Sequence, residues 1–404
     1  MAERGMDGAA GSPWLTIIGL GEDGLDGLGL ASRQALERAE LVFGGPRHLT
    51  LVGAGDRGRP WPVPFSVAPV MAARGRAVAV LASGDPFWHG AGASLTATLD
   101  AAEWVAHPVA STFSLAAARL GWPLADCLCR AVHAAPFEIL LRDLTAGARL
   151  ICLVRDGAAV GELAAWLTGQ GFGPSRLTVM EALGGPRERL RGTTAAGFDL
   201  AEIAAPVAVA VAAEGGAGLP HCPGLPDALF EHDGQITKRA MRALTLSALA
   251  PRPGERLWDI GAGAGSVGIE WLLAARGTTV SAVESQAERA ERIGRNAARF
   301  GVADRLAVTV ATAPAGLDDL PPPQAVFVGG GAGPELLDRL WALIPAGTRL
   351  VANAVTLESE ALLADWSARA GGQLLRIGLA EAAPLGRKRG WQPARPVVQW
   401  STTK

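Results

Sequence analysis

Short apolar runs alternate with helically spaced segments along the chain, the pattern of α/β layers built on parallel sheets. In the second half, ERLWDI is an apolar run of strand type and SVGIEWLLAARG after it has helical spacing. Strands are expected at about 256–260, 278–284, 306–310, 324–329 and 348–353 with helices between them, a doubly wound order. Ahead of them Thr237 reads as an N-cap, Met241, Leu244, Ala248 and Leu249 form one apolar stripe, and Pro251 ends the helix. The first half has its own strand and glycine loop in WLTIIGLGEDGLDGLGLAS (14–32) and a further such turn in AVAVLASGDPFWHG (77–90). In HPVASTFSLAAARLGWPLAD (107–126) small hydroxyl residues precede a helix. The pattern breaks after the apolar strand APVAVAVAA (205–213), where EGGAGLPHCPGLPD is too dense in Gly and Pro for regular structure. Two domains are therefore expected, 12–214 and 231–404, with a linker over 215–230.

The turn WDIGAGAGSVGIEW carries the sharpest chemistry. Gly261, Gly263 and Gly265 mark a strand-turn-helix junction of nucleotide-binding type. A dinucleotide would lay its pyrophosphate on the helix N-terminus, and Asp259 at the strand end would oppose that charge. S-adenosylmethionine carries an ammonium and a sulfonium instead, which suit a carboxylate. Glu284 closes the next strand in SAVESQ, 25 residues after Asp259, a fitting interval for an acid that takes two ribose hydroxyls or, equally, for a solvated strand end. Methyl transfer leads, and a dinucleotide oxidoreductase is disfavoured.

The chain has 404 residues, enough for two domains with separate cores. Its formal charge of −2 and scarce aromatics give no basic, aromatic face for nucleic acid. Only Lys238, Lys388 and Lys404 are lysines, so a polycarboxylate ligand would be met chiefly by arginine. RERLR (187–191) and RKR (387–389) are candidates for that contact or for solvated surface. Lys238 is expected in the first turn of its helix, where the dipole disfavours a cation. A substrate carboxylate would explain it, as would simple exposure, and Thr237 beside it is the second candidate catalytic residue. Cys127, Cys129, Cys152 and Cys222 form no CxxC pair and have no His at zinc spacing, so reduced thiols and no metal site are expected. No run of about twenty apolar residues suggests a membrane span, and the N-terminus lacks an apolar leader core, so a cytoplasmic protein is expected.

With IIGLGEDGLDGLG, ASGDPFWHG, STFSLAAARLGWP and VMEALGGPRERLRG, segment 14–213 resembles the tetrapyrrole methylase family. With ITKRAMRALTLSAL, LWDIGAGAGSVGIEW, AVESQ and AVFVGGG, segment 231–404 resembles class I methyltransferases that methylate C-15 of a corrin precursor and decarboxylate its acetate side chain. The order of the halves is similar to that of fused methylases of cobalamin biosynthesis. The resemblance implies a two-lobed class III α/β domain followed by a Rossmann-like class I domain. It implies a tetrapyrrole substrate, metal-free or cobalt-containing, two S-adenosyl-L-methionine sites per chain, and a homo-oligomer, up to a tetramer through the C-terminal domain. In the first half it places the loop Gly19 to Gly24 at the active-site cleft and Gly84, Asp85 and Pro86 at the cofactor pocket. Ser111, Thr112 and Ser114 match the family's hydroxyl-rich element, with Val109 and Ala110 where the family has Pro-Gly, and Arg155 or Asp156 falls at the cofactor. In the second half it assigns Gly261, Gly263 and Gly265 to the methionine end, Glu284 to the ribose, and Thr312 and Ala313 to the adenine pocket. Gly329 to Gly331 would lie near the transferred methyl, where many class I enzymes carry an acid and this chain does not.

Overall fold

The computed structural model describes residues 13–404, which divide into two compact units. The first comprises the residues through Ala135 together with Thr145–Ala217; the second comprises Pro136–Leu144 and Gly218–Lys404.

The first unit holds two sheets. In one, β1 (Leu15–Leu20), β2 (Leu41–Gly44), β3 (Gly58–Pro60), β4 (Val78–Ser83) and β5 (Trp104–His107) lie in the order β3-β2-β4-β1-β5, all parallel. Leu15 and Ile17 of β1 enter one apolar cluster while Ile18 and Leu20 enter another. The strand is thus covered on both faces, which is why it reads as an unbroken apolar run. The other sheet contains β6 (Cys127–Ala131), β7 (Arg149–Leu153), β8 (Arg176–Glu181), β9 (Arg189–Thr194) and β10 (Val207–Ala212) in the order β6-β7-β10-β8-β9. Only β6 and β7 pair in parallel, against the expectation of parallel sheets throughout. The connection from β8 to β9 is too short for a crossover helix, so the chain turns back on itself.

The second unit contains β11 (Arg256–Ile260), β12 (Thr279–Glu284), β13 (Leu306–Val310), β14 (Ala325–Val328), β15 (Arg349–Ala354), β16 (Gln373–Ile377), β17 (Ala380–Leu385), β18 (Lys388–Pro393) and β19 (Val397–Thr403). Seven of these form one sheet, β13-β12-β11-β14-β15-β19-β16, with β19 antiparallel to its neighbours. Strands β17 and β18 form a separate hairpin. The order reverses between β11 and β14, which opens a crevice at the carboxyl ends of those strands.

The helix Arg239–Leu249 corrects two expectations. Its N-cap is Lys238 rather than Thr237, in extended conformation and without a side-chain capping bond, so Lys238 stands outside the first turn. Leu244 points outward at 39% exposure, and Arg242 and Thr245 are fully buried beside Met241, Leu246 and Leu249. Polar residues can take the inner face here because each has partners. Arg242 meets Glu270 and Asp227, and the Thr245 hydroxyl receives the amides of Asn353 and Gln399. The Gly/Pro-rich stretch is also less of a tether than its composition suggests, since Leu225 and Phe230 lie in the core of the second unit.

Candidate active sites

The first unit encloses a cleft of about 780 Å³. Two strand ends build one wall: an added Cβ on Gly84 would stand 2.8 Å from Ser111 Cα, and Gly84 has a φ of +58°, so the turn after β4 admits only glycine. Gly21, Gly84, Ser111 and Thr112 line the cleft. Asp85 and Pro86 shape the turn behind it: Asp85 Oδ1 accepts the Phe87 N–H at 2.9 Å, and the Pro86 carbonyl accepts the Gly92 N–H at 2.9 Å. Ser111 caps the helix Thr112–Leu120 by accepting the Ser114 N–H at 3.1 Å. That helix therefore brings its positive end, with free amides, to the cleft. Arg155 also lines the cleft, paired with Asp156 and Glu162, whereas Asp156 caps the helix Gly157–Gly169.

The cleft also holds a polar group that joins Glu22, within the first glycine loop, to Arg47 and His48, which lie in no sequence motif. Glu22, its side chain 8% exposed, pairs with Arg47 and lies 3.5 Å from Arg187. His48 Nε2 is 2.9 Å from Ser83 Oγ. Burial and the neighbouring Arg47 push the His48 pKa down to about 4, so it is neutral near pH 7. Trp61, Phe65, Trp88 and Phe113 add an aromatic lining.

In the second unit the glycine turn, Glu284 and the loop after β14 meet at the topological switch. Gly261 has a φ of +68°, and an added Cβ would come 2.8 Å from the Gly330 carbonyl oxygen, so Gly329 and Gly330 lie against the turn. Glu284 is 4% exposed; its Oε2 accepts the Gly263 N–H at 2.9 Å and its Oε1 the Gln286 N–H at 3.0 Å. Asp259 is 1% exposed, and Oδ2 accepts the Gly268 N–H at 3.1 Å while Oδ1 has no hydrogen-bond partner. Burial raises its pKa to about 7, with Glu284 adding to the effect. A buried carboxylate oxygen left without a donor fits a ligand that brings a cation. Thr312 is exposed and Ala313 half-buried in the loop after β13, whose Ala311 N–H donates to the Glu284 carbonyl at 3.1 Å. Lys238 is exposed and Thr237 half-buried.

The basic segment 187–191 is committed internally. Arg189 and Arg191 pair with the buried Glu181, Glu188 with Arg119, and Arg187 lies near Glu22. Arg387, Lys388 and Arg389 lie on or beside the exposed hairpin β17–β18. Among the described residues no disulfide joins the four cysteines. Among the described residues no helix is long and apolar enough to cross a membrane.

The two folds, a tetrapyrrole methylase unit and a class I methyltransferase unit, define an S-adenosyl-L-methionine-dependent methyltransferase. The Tetrapyrrole (Corrin/Porphyrin) Methylases model matches residues 14–199 and the Precorrin methyltransferase domain model matches 228–404. A precorrin-6Y C(5,15)-methyltransferase (decarboxylating) from Sinorhizobium sp is 50% identical over 402 residues, 97% of either chain. One from Mycobacterium tuberculosis is 39% identical over 401 residues, 96% of this chain and 100% of its own. The crystal structure of the C-terminal domain of precorrin-6Y C5,15-methyltransferase from Rhodobacter capsulatus is 56% identical, covers 46% of this chain and 100% of its own, and superposes with a TM-score of 0.45. The chain belongs to the precorrin-6Y C(5,15)-methyltransferase (decarboxylating) family.

Proposed function

We propose that the chain methylates precorrin-6Y twice, at C-5 in the tetrapyrrole methylase domain and at C-15 in the class I domain, where the C-12 acetate is also decarboxylated to give precorrin-8X. The observation that carries this division is the different chemistry of the two glycine turns. One opens on a large, aromatic-lined cleft with a helix N-terminus, and the other carries the buried acid Asp259 just before its glycines.

S-adenosyl-L-methionine supplies an electrophilic methyl at both sites, and the ring supplies the nucleophilic carbon. The residues have to align the two and exclude water. In the second unit Asp259 faces the ammonium, Gly261, Gly263 and Gly265 pass the methionine chain, Glu284 takes the ribose hydroxyls, and Thr312 and Ala313 edge the adenine pocket. In the first unit Gly84 allows close approach, Ser111 and Thr112 present the helix amides to the carboxylate end, and Asp85 and Pro86 fix the turn. Lys238, with Thr237 beside it, meets a substrate carboxylate. Decarboxylation breaks the bond between the acetate methylene and its carboxylate, carbon dioxide leaves, the electron pair enters the conjugated ring, and a proton takes the vacated position. Lys238 holds the macrocycle by another of its carboxylates during that step, an electrostatic positioning role.

Calorimetric titration with S-adenosylhomocysteine tests the reading: two sites per chain support it, and a clean stoichiometry of one on active protein refutes it. We also infer a cytoplasmic homo-oligomer, up to a tetramer, formed through the second unit. The hairpin β17–β18 exposes Leu385 at 69% and Trp391 at 76%, an apolar surface suited to cover by a second copy.

A further inference from the structure

Residues 224–238 run across the class I glycine turn as a strap, and three buried or paired anchors hold it there. At one end Glu270, on the helix that follows the turn, accepts the Gly224 and Leu225 N–H groups at 2.6 and 2.9 Å. Arg242, fully buried, pairs with Glu270 and Asp227, donates to the Leu225 and Thr237 carbonyls, and lies 4.9 Å from the Phe230 ring centre. In the middle Asn296, 1% exposed, accepts the Glu231 N–H at 2.8 Å and donates to the Glu231 carbonyl at 3.0 Å. The same amide donates to the carbonyl of Ala264, the residue between Gly263 and Gly265, at 2.9 Å. Near the other end Asp233 pairs with Arg289 at 2.8 Å and Arg292 at 3.1 Å, and accepts the Gln235 N–H at 3.0 Å. The result is local and measurable: a Cβ built on Gly263 would sit 3.6 Å from the Gln235 carbonyl oxygen.

Stability is a poor explanation for this arrangement. A buried ion pair is often no more stabilising than apolar side chains of the same volume. A carboxamide that joins two separate backbone segments does fix geometry, because its donors and acceptor are planar and all used. We propose that Asn296, Arg242 and Asp233 are positioning residues for the class I cofactor site, and that the strap they hold is one wall of it. This rests on the reading that the crevice from Asp259 to Glu284 holds S-adenosyl-L-methionine.

The test uses the full chain carrying Gly84→Val, which leaves the second site to be titrated alone with S-adenosylhomocysteine. Asn296→Ala, which removes the bracket, should weaken binding about tenfold and raise the KM for S-adenosyl-L-methionine in C-15 methylation, with kcat at saturation within about twofold of the parent. Asp233→Asn keeps the Asp233 acceptor for Gln235 but removes the charge between Arg289 and Arg292. At a part-exposed position it should fold normally and weaken binding about threefold. Arg242→Lys, which cannot reproduce the fork, should behave as Asn296→Ala. In the chain without Gly84→Val, C-5 methylation should keep its parental KM in all three variants. Parental affinity in both folded Asn296→Ala and Asp233→Asn would overturn the inference. So would a loss of kcat with unchanged KM, or an equal loss in both methylations. If Asp259→Ala also leaves S-adenosylhomocysteine binding intact, the cofactor reading itself has failed; if Asp259→Ala abolishes binding and the strap variants do not weaken it, only the positioning inference has.

Discussion

Glu284 Oε2 holds the backbone N–H of Gly263 at 2.9 Å, so the acid at the end of β12 and the turn at the end of β11 are already joined without a ligand. The carboxylate has lone pairs left for the ribose hydroxyls, and its negative charge strengthens every bond it accepts. Glu284→Gln keeps one acceptor for Gly263 but loses that charge. Affinity of the second site for S-adenosylhomocysteine should fall about tenfold or more, by calorimetry, with Tm shifted little.

Asp259 ties affinity to stability in opposite directions. Its pKa of about 7 stands above the unfolded value of about 3.9, so between those values the folded protein holds a proton that the unfolded chain has released. Stability therefore falls as pH rises from about 4 to about 7 and is not regained above it. Asp259→Asn, uncharged at every pH, should raise the Tm at pH 8 by several degrees and change it much less near pH 4. A cationic ligand needs the ionised acid, so parental affinity at this site should drop as pH falls below about 7. The variant should bind weakly at all pH values. A lower Tm at pH 8 with retained affinity would show that the acid has neither role.

The division of labour between the units is read from products by mass spectrometry. Asp259→Ala should stop C-15 methylation and carbon dioxide loss while C-5 is still methylated wherever the first unit accepts the unprocessed ring. Gly84→Val puts a branched side chain where a Cβ already clashes with Ser111, and should leave a decarboxylated product without the C-5 methyl. The opposite pattern would reverse the assignment.

Lys238→Ala should slow turnover at C-15 about tenfold or more, about 1.4 kcal/mol, with S-adenosylhomocysteine affinity unchanged. Unaltered decarboxylation would make Lys238 an ordinary surface residue.

Expression of 218–404 should give a more stable fragment than 231–404. The longer piece keeps Leu225 and Phe230 in the core and the two amides that satisfy the buried carboxylate of Glu270. Without them Glu270 and Arg242 lose partners, a cost of several kcal/mol, and thermal melts of the two fragments should show it. Equal melting temperatures would place 218–230 outside the folding unit.

Much of this was legible because it depends on local pattern. The strands from β11 to β15 fall within a residue or two of the expected ranges, and all but the edge strand β13 are covered on both faces, so they read as continuous apolar runs. Ser111 as a helix start and Asp259 before its glycines could also be read directly. Other features depend on partners distant in sequence. Nothing local predicts that Arg242 is buried, because its carboxylate lies 28 residues away at Glu270. Asn296 meets Glu231 across 65 residues, and His48 lies in no motif yet stands beside Ser83. The Gly/Pro-rich stretch resembled a tether because composition records the lack of regular structure but not the burial of Leu225 and Phe230.

The scarcity of lysine turns the candidate substrate contact into an address for chemistry. Lys404 donates to the carbonyls of Trp341 and Ile344 and is half-buried, so its amine is shielded. Lys238 and Lys388 are exposed, and Lys388 stands on the hairpin. An acylating reagent applied to the Lys388→Arg protein would therefore mark Lys238 ahead of any other side-chain amine. The rate of that single modification, followed with and without a tetrapyrrole, would report whether the substrate covers Lys238.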